Sequence, residues 1–472
     1  MRRTGPIVVA GLVLAAAALR VRALFTDFWL DEIFSLDGLA RRATSVADIF
    51  FSPALRHDNN HHLNTLVLYL LRDHDNWVAM RMPAFVAGLI VVALAAVIAR
   101  RRGVMDGLFT GALVACSFTM AVYSTEARGY AFVLMFALLG LIALRRYLET
   151  PRLSRAVPFW MAVALGLASH PSVLHFYAGA CLWSGYRLRG RVRDLIRLHA
   201  VPIAWMALWA VVVLRGGRVG GGDPRPWQQT ADEAFGWTFG YPLGVVPALL
   251  ALATAIAIVL WDARRLWREG SDEGLFYVGT ILGPIVLMTA LAPPYLFARY
   301  FLVSLLFFQL VLGRLLARLW EAAHPLRVPA AAALVMICAG NIWHIEQFST
   351  YGRGQASVAI EDLEESAKGE VVVSSTSLDR WNTLPIEFYE RVLHLPRHIR
   401  YVPRDEFRAS TAVEWVIDQS QALHPEPAAR LEPRPGEIYT LHRPYPAYGP
   451  SGLHWFLYQR EPGRLTTSPN GR

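Results

Sequence analysis

The feature that most constrains this chain is a series of long apolar segments separated by short clusters of arginine. The first segment runs from about Gly5 to Phe25, and comparable segments recur as far as Trp343. A helix of about 20 apolar residues spans a bilayer and satisfies its own backbone hydrogen bonds there. With 54% hydrophobic residues, the chain of 472 residues is also too apolar for a soluble protein of its size. We therefore predict a polytopic α-helical membrane protein.

Arginine supplies nearly all of the positive charge, because Lys368 is the only lysine and the formal net charge is +9. If about eleven spans cross the membrane in turn, all the arginine clusters fall on one side. The positive-inside rule assigns that side to the cytoplasm. We therefore predict a multi-pass protein of the inner (plasma) membrane with a cytoplasmic N-terminus and no nucleic-acid partner. The clusters are Arg2-Arg3; Arg100 to Arg102; Arg145-Arg146; Arg187 to Arg197; Arg264, Arg265 and Arg268; and Arg314, Arg318 and Arg327.

The composition changes near residue 347, where apolar runs shrink to strand length and prolines and charges become frequent. Runs such as Val371-Val372-Val373 and Trp415-Val416-Ile417 predict strands, and Ala356 to Ala367 predicts a helix. We therefore predict a transmembrane domain over 1–346, with a first outer loop over 26–64, and a small extracytoplasmic α/β domain over 347–472. The glycine-rich loop from Gly216 to Trp227 lacks the lysine and the strand-helix context of a phosphate-binding loop.

Two adjacent carboxylates, Asp31 and Glu32, follow the first span and stand between Trp29 and Phe34. Acidic groups at a membrane surface are costly to keep in a partly apolar setting, so they are candidates for a functional site. One interpretation is a general base with its neighbour. The alternative is an interfacial acidic pair that is simply solvated.

Two arginines are candidates for binding an anion on the same outer side. Arg128 lies in the stretch from Tyr123 to Tyr130, together with Glu126, and Arg299 precedes a long apolar span. A guanidinium group binds phosphate oxygens in a bidentate manner. The alternative for each is an interfacial residue whose side chain extends to the lipid headgroups.

Histidines are the third kind of candidate. His61 and His62 follow Asn60, and His170 lies at a predicted helix break. Adjacent histidines point in different directions, and no HExxH motif occurs, so a zinc site is not predicted. A substrate contact or a structural role remains for His61, and His170 would equally suit a hydrogen bond to a freed carbonyl. Acids, arginines and histidine on one face suit group transfer from a phosphate-bearing donor.

Several motifs in order resemble those of the GT-C membrane glycosyltransferases. The resemblance is closest to the branch of protein O-mannosyltransferases and lipid A aminoarabinose transferases, covers about Met1 to Leu316 and is densest before Tyr147. Asn60 to Asn64 stands in place of a His-Pro-Pro-Leu-like motif, although its prolines are absent here. The motifs are Trp29-Leu30-Asp31-Glu32; Asn60-His61-His62-Leu63-Asn64; Arg81-Met82-Pro83-Ala84; Tyr123-Ser124-Thr125-Glu126-Ala127-Arg128-Gly129-Tyr130; and Ala298-Arg299-Tyr300.

The resemblance implies an inverting enzyme that moves a sugar from a polyprenyl-phosphate lipid to a glycan, glycolipid or protein acceptor on the outer face. Asp31 resembles the catalytic base, Glu32 would orient the site, and Glu126 would occupy a second acidic position. Arg128 and Arg299 would bind the donor phosphate. Lys368 is the only lysine, so a phosphate contact that relatives make through lysine must be made by arginine here or not at all. No cofactor is required, and a divalent metal is possible but not predicted. The residues expected to contact substrate are Asn60, His61, Tyr123, Tyr130 and His170.

Two other classes of function are alternatives to a glycosyltransferase. A polytopic transporter or lipid flippase typically shows repeated halves with broken helices, and the sequence shows no such repeat. The acidic residues also fall at span ends rather than at span centres, unlike those of an ion-coupled pathway. The third class is an enzyme-like chain that serves as a scaffold without activity, which mutation of Asp31 would distinguish from an enzyme.

Overall fold

The structure is a computed structural model that describes residues 4–214, 226–244, 246–291, 296–322, 324–367, 369–409 and 413–461. Four features of the sequence lie wholly or mostly outside these residues: Arg2-Arg3, the Gly216 to Trp227 loop, Pro293-Pro294-Tyr295 and Lys368. The chain divides into two compact units. The first comprises Met1–Leu24 and Ser35–Glu346, and the second comprises Phe25–Phe34 and Gln347–Arg472.

Most of the described residues are helical. A turn of 3-10 helix covers Ala298–Phe301, and wider π-helical turns cover Phe34–Ala40 and Ala210–Leu214. The α-helices in chain order are α1 (Thr4–Arg20), α2 (Leu30–Ile33), α3 (Val46–Phe51), α4 (His62–Leu71), α5 (Trp77–Arg100), α6 (Val104–Cys116), α7 (Phe118–Ser124), α8 (Tyr130–Glu149), α9 (Leu153–Ser169), α10 (Val173–Arg187), α11 (Val192–Trp209), α12 (Trp227–Phe239), α13 (Ala248–Arg268), α14 (Gly274–Leu291), α15 (Leu302–Ala322), α16 (His324–Tyr351), α17 (Ala356–Ser366), α18 (Asp379–Leu393) and α19 (Arg404–Ala409).

The described residues contain seven helices that are long and apolar enough to cross a bilayer, or eight if the bent pair α6 and α7 forms one span. One of them is α5, whose first turn is capped by the Asn76 side chain accepting from the N–H of Ala79 at 3.1 Å. Its other end reaches the arginines at 100–102, as the sequence predicts. The polytopic helical membrane fold is confirmed. The total of about eleven spans remains a prediction, because helices such as α9 (17 residues) and α10 (15 residues) are shorter.

Arginines from different clusters meet through shared acidic partners in the first unit. Glu273, which directly precedes α14, accepts from Arg145 at 2.5 Å and from Arg102 at 3.1 Å. Asp262 of α13 is fully buried and lies 3.2 Å from Arg314 of α15. At one end of the helical bundle, ion pairs to Glu273 therefore connect the ends of α5, α8 and α14, and the ion pair of Asp262 with Arg314 connects α13 with α15.

The second unit contains a six-stranded sheet in the order β2-β1-β3-β6-β5-β4. β1 runs parallel to β2 and β3, with α18 and α19 as the crossovers, and the remaining pairs are antiparallel. The apolar core beside α19 includes Phe407, Val416, Tyr439 and Tyr458. The predicted small α/β domain is confirmed. The strands are β1 (Val371–Ser375), β2 (Ile399–Tyr401), β3 (Trp415–Ser420), β4 (Arg430–Arg434), β5 (Glu437–Tyr445) and β6 (His454–Arg460).

One part of the chain is grouped differently from the prediction. Residues 26–64 are predicted to form the first outer loop of the transmembrane domain, whereas Phe25–Phe34 clusters with the C-terminal residues. The physical reason is that the aromatic side chains of this short segment pack on α18 of the second unit, as at Phe28 and Phe388, whose ring centroids are 5.4 Å apart.

Candidate active site

A buried turn between α7 and α8 carries two of the predicted site residues. α6 and α7 meet at a bend of 59°, and the chain from Ser124 to Tyr130 is entirely buried. Glu126 is 2% exposed and Arg128 is 7% exposed. The side-chain amide of Asn64, on α4, donates to the Ala127 carbonyl at 2.6 Å and holds the turn.

His61 lies against this turn. Its Nδ1 is 3.1 Å from the Ser169 carbonyl oxygen and 3.2 Å from the N–H of Gly129, so a neutral ring forms one of these two hydrogen bonds according to its tautomer. Its Nε2 is buried and has no hydrogen-bond partner among the described residues. The His61 ring packs 4.7 Å from Tyr130 and 4.9 Å from His170, measured between ring centroids. His61, Tyr130 and His170 are thus brought together as predicted site residues.

Burial and two nearby arginines determine the electrostatics of this cluster. Burial, and then the positive charge of Arg128, lower the pKa of both His61 and His170 well below the usual range. Arg299 lowers the pKa of both histidines as well, which places it near them although it is distant in sequence. The cluster therefore combines two guanidinium charges with neutral imidazoles. That combination favours an anion with several oxygens, such as a phosphate.

Arg299 lies in the turn that precedes α15, with its guanidinium carbon 4.5 Å from the Phe297 ring centroid. Leu296 and Phe301, on either side of this turn, also line an apolar cavity of about 440 Å³ between α12, α14 and α15. This volume is within the range of small-molecule sites. Other lining residues are mostly apolar and include Trp227, Phe235, Ile285, Met288 and Phe308. The cationic turn and the apolar cavity are therefore adjacent.

Ser304 links the cavity to the histidines. It lines the cavity, and its hydroxyl lies 3.1 Å from Nδ1 of His175 and donates to the Thr280 carbonyl at 2.8 Å. His175 packs near Phe301, at 6.0 Å between ring centroids. Neither His175 nor Ser304 is among the site residues predicted from the sequence. The available signal was the position of His175 in the first turn of α10, shortly after the helix break at His170.

Other predicted substrate contacts also fall in this unit. Tyr123 packs against Tyr130 with 4.8 Å between ring centroids. Oδ1 of Asn60 is buried without a hydrogen-bond partner among the described residues, whereas the neighbouring Asn59 is used internally, accepting from Thr65 at 3.0 Å. Asn60 is therefore the better candidate of the two for binding a ligand. The described residues include no group of three or more His, Cys, Asp or Glu side chains arranged to hold a metal ion.

Asp31 and Glu32 lie in the second unit, on α2, and differ in their surroundings. Glu32 is fully buried, and its Oε2 accepts from the N–H of Trp29 at 3.2 Å, which closes the first turn of the helix. Asp31 is half-buried. Of the adjacent pair, Glu32 is therefore hydrogen-bonded to the local backbone, and Asp31 remains the candidate base predicted from the sequence.

No protein-family model and no curated protein sequence matches this chain. Two solved structures of ArnT from Cupriavidus metallidurans are similar in fold. The one bound to undecaprenyl phosphate has a TM-score of 0.51 and 12% identity, covering 96% of this chain and 97% of that chain. The apo structure has a TM-score of 0.50 and 14% identity, covering 97% of this chain and 98% of that chain.

The similarity extends over nearly the full length of both chains, so it includes the helical bundle as well as the C-terminal sheet. ArnT is a lipid A aminoarabinose transferase, a GT-C enzyme. The resemblance predicted from the motifs is therefore confirmed at the level of the fold. This chain has an ArnT-like fold.

Proposed function

We propose that this protein is an inverting glycosyltransferase that uses a polyprenyl-phosphate sugar as its donor. The observation that supports this most directly is the position of Arg299 in the turn between Leu296 and Phe301, which line an apolar cavity of about 440 Å³. Arg128 acts on the same histidines as Arg299, since both arginines lower the pKa of His170. A polyprenyl phosphate has the matching parts, an anionic head and an isoprenoid chain. One structure with the same fold is described as bound to undecaprenyl phosphate, which favours this class of lipid.

The proposed reaction needs a base and stabilisation of a leaving anion. Asp31 removes the proton of an acceptor hydroxyl, whose oxygen then attacks C1 of the sugar. The bond between C1 and the phosphate oxygen breaks, its electron pair stays with the lipid phosphate, and the anomeric centre inverts. Arg128 and Arg299 stabilise the departing phosphate, which is where negative charge develops. Because guanidinium groups supply this charge, the proposal includes no metal.

The other predicted residues have supporting roles in this scheme. Glu32 orients the helix that carries Asp31, and Glu126 occupies the second acidic position. The polar atoms of Asn60 and His61 that face no described partner bind the sugar or the phosphate. Tyr123, Tyr130 and His170 supply further contacts to the substrate. The acceptor is a hydroxyl of a glycan, a glycolipid or a protein on the outer face of the membrane.

The test uses the full chain in nanodiscs with a panel of radiolabelled polyprenyl-phosphate sugars, which includes hexoses and pentoses. We expect the wild type to consume one donor by transfer or by slow hydrolysis. Asp31→Asn should still bind that donor but lower kcat by about 10²-fold or more, as is usual for loss of a general base. Arg299→Gln should raise the donor KM and lower kcat. The exposed Arg264, on the end of α13, provides a matched control, since Arg264→Gln should behave as wild type.

A wild type that binds polyprenyl phosphate but consumes none of the donors would contradict the proposal. Movement of the labelled lipid across a vesicle bilayer by that protein would then support the flippase alternative. Binding without either turnover or movement would support an inactive scaffold. Loss of activity in Arg264→Gln to the same extent as in Arg299→Gln would remove the case for a specific phosphate contact.

A further inference from the structure

The segment Phe25–Phe34, which carries Asp31, belongs to the same compact unit as the C-terminal sheet. Its helix, α2, has only four residues. A single helical turn fixes several backbone dihedrals for very few hydrogen bonds and is unstable alone. The conformation around Asp31 therefore depends on the elements against which this segment packs.

The start of the segment is attached to α17. Oδ2 of Asp27 accepts from the N–H of Ser357 at 2.7 Å, and its Oδ1 accepts from the Ser357 hydroxyl at 2.7 Å. Ser357 lies in the first turn of α17, where the backbone N–H groups have no partner within the helix and a carboxylate is favoured by the helix dipole. Asp27 therefore acts as a cap that ties the chain before Asp31 to this helix.

The next two residues are held by the body of the C-terminal unit. The fully buried Phe28 ring stacks on Phe388 of α18, and the Tyr389 hydroxyl donates to the Phe28 carbonyl at 2.9 Å. The Trp29 ring lies beneath the guanidinium of Arg353, at 4.6 Å from its centroid. Arg353 is itself 3% exposed, so this contact is shielded from water. A shielded cation–π contact is stronger than an exposed one.

A further contact follows Asp31 in the chain. The guanidinium of Arg380, in the first turn of α18, lies 4.2 Å from the Phe34 ring centroid. α18 thus contacts the segment on both sides of Asp31, through Arg380 at one end and through Phe388 and Tyr389 further along the helix. Two attachments on one rigid helix limit the rotation and displacement of the turn between them.

We propose that α18 is a positioning element for the catalytic base and that Tyr389 is its principal positioning residue. This inference rests on the proposed function, in which Asp31 is the base. The C-terminal unit contributes to transfer by fixing the backbone that carries Asp31, through the hydrogen bond to the Phe28 carbonyl and the aromatic contacts beside it. Loss of this hydrogen bond lowers the fraction of molecules in which Asp31 is correctly oriented, with no change in the groups that bind the donor.

The test compares Tyr389→Phe with Tyr439→Phe in the full chain. Both tyrosines are fully buried in the second unit, and each hydroxyl donates to a backbone carbonyl, that of Phe28 at 2.9 Å and that of Val413 at 3.1 Å. The two variants should therefore lose similar stability in thermal unfolding. We expect Tyr389→Phe alone to lower kcat, by about tenfold to a hundredfold, as small misplacements of reacting groups do. Its donor KM should equal that of the wild type.

Hydrogen–deuterium exchange provides a readout that does not require activity. We expect faster amide exchange over residues 29–34 in Tyr389→Phe and unchanged exchange there in Tyr439→Phe. Equal exchange and equal kcat in the two variants would overturn the positioning role, even if the wild type is an active transferase. If the exchange differs as expected but the wild type transfers no sugar, the failure lies in the proposed function, and α18 then holds this segment without a catalytic purpose.

Discussion

Gly129 shows how closely the candidate site is packed at the scale of single residues. A Cβ at this position would lie 2.1 Å from the Ser169 carbonyl oxygen and 2.9 Å from Nδ1 of His61. The first of these neighbours is a backbone atom that cannot rotate away. Only glycine allows the turn that carries Glu126 and Arg128 to approach the break between α9 and α10 this closely.

We therefore expect Gly129→Ala to destabilise the protein by about 2 kcal/mol or more, as overpacking of a dense site does, and to weaken binding of polyprenyl phosphate. Thermal unfolding in detergent and a lipid-binding assay measure the two effects. Gly185→Ala is the matched control, because a Cβ at Gly185 of α10 meets no atom within 4 Å. Alanine there should be neutral or stabilising by about 0.5–1 kcal/mol. Equal stability of the two variants would show that the turn can move away from Ser169.

At the scale of elements, the ends of the helices are joined by buried or half-buried ion pairs. The side chain of Glu273 is 12% exposed and connects the start of α14 to Arg145 at the end of α8 and to Arg102 after α5. Burial opposes ionisation, but Arg145 and Arg102 outweigh it and lower the pKa of Glu273 to about 2. Glu273 therefore remains charged throughout the physiological pH range and serves as the negative partner of both arginines.

Glu273→Gln should be strongly destabilising, because it removes the negative partner of Arg145, whose side chain is only 11% exposed, and that of Arg102 as well. Breaking a buried pair in this way costs about 3–5 kcal/mol, measurable as a lower unfolding temperature in detergent. Glu269→Gln is the control, since the Glu269 side chain is 46% exposed where it pairs with Arg318, and exposed pairs contribute about 0–1 kcal/mol. A similar small loss in both variants would mean that water reaches Glu273 and solvates the freed arginines.

At the scale of the whole molecule, the arginine clusters bear on the orientation in the membrane. Arg102, Arg145 and Arg314 come from three of the clusters, and their acidic partners lie at the ends of α13 and α14. Their grouping at one end of the bundle supports the proposal that this end is cytoplasmic, given the preference of arginine for that side. The odd number of spans predicted from the sequence would separately put residues 347–472 outside the cytoplasm.

The single lysine makes this orientation directly testable. An amine-reactive reagent that does not cross membranes should label Lys368 in cells whose inner membrane is intact, as mapped by mass spectrometry of the isolated chain. Lys368→Arg controls for labelling elsewhere, and permeabilised cells show that the lysine can react at all. Labelling that appears only after permeabilisation of the inner membrane would place the C-terminal unit in the cytoplasm and reverse the proposed topology.

The sequence by itself determined the class of fold. Long apolar segments predict spanning helices, because a helix satisfies its own backbone hydrogen bonds in lipid. α5 ends at its arginine cluster as expected. Strand-length runs likewise predicted the C-terminal sheet, as at Val371 and Trp415. The motifs also identified the GT-C resemblance, which the fold of ArnT confirms. These features are local, so a pattern within a short window is enough to reveal them.

Only the tertiary structure decided how distant segments combine. It assigned Phe25–Phe34 to the unit of the C-terminal sheet and brought Arg299 near His61 and His170. It also showed that Glu32, one of the two adjacent carboxylates, accepts a hydrogen bond from the backbone at the start of α2. Such contacts join residues that are far apart in the chain, and they depend on which side chains pack together when the helices assemble. Local hydrophobic periodicity reports which face of an element is buried and carries no information about its partner.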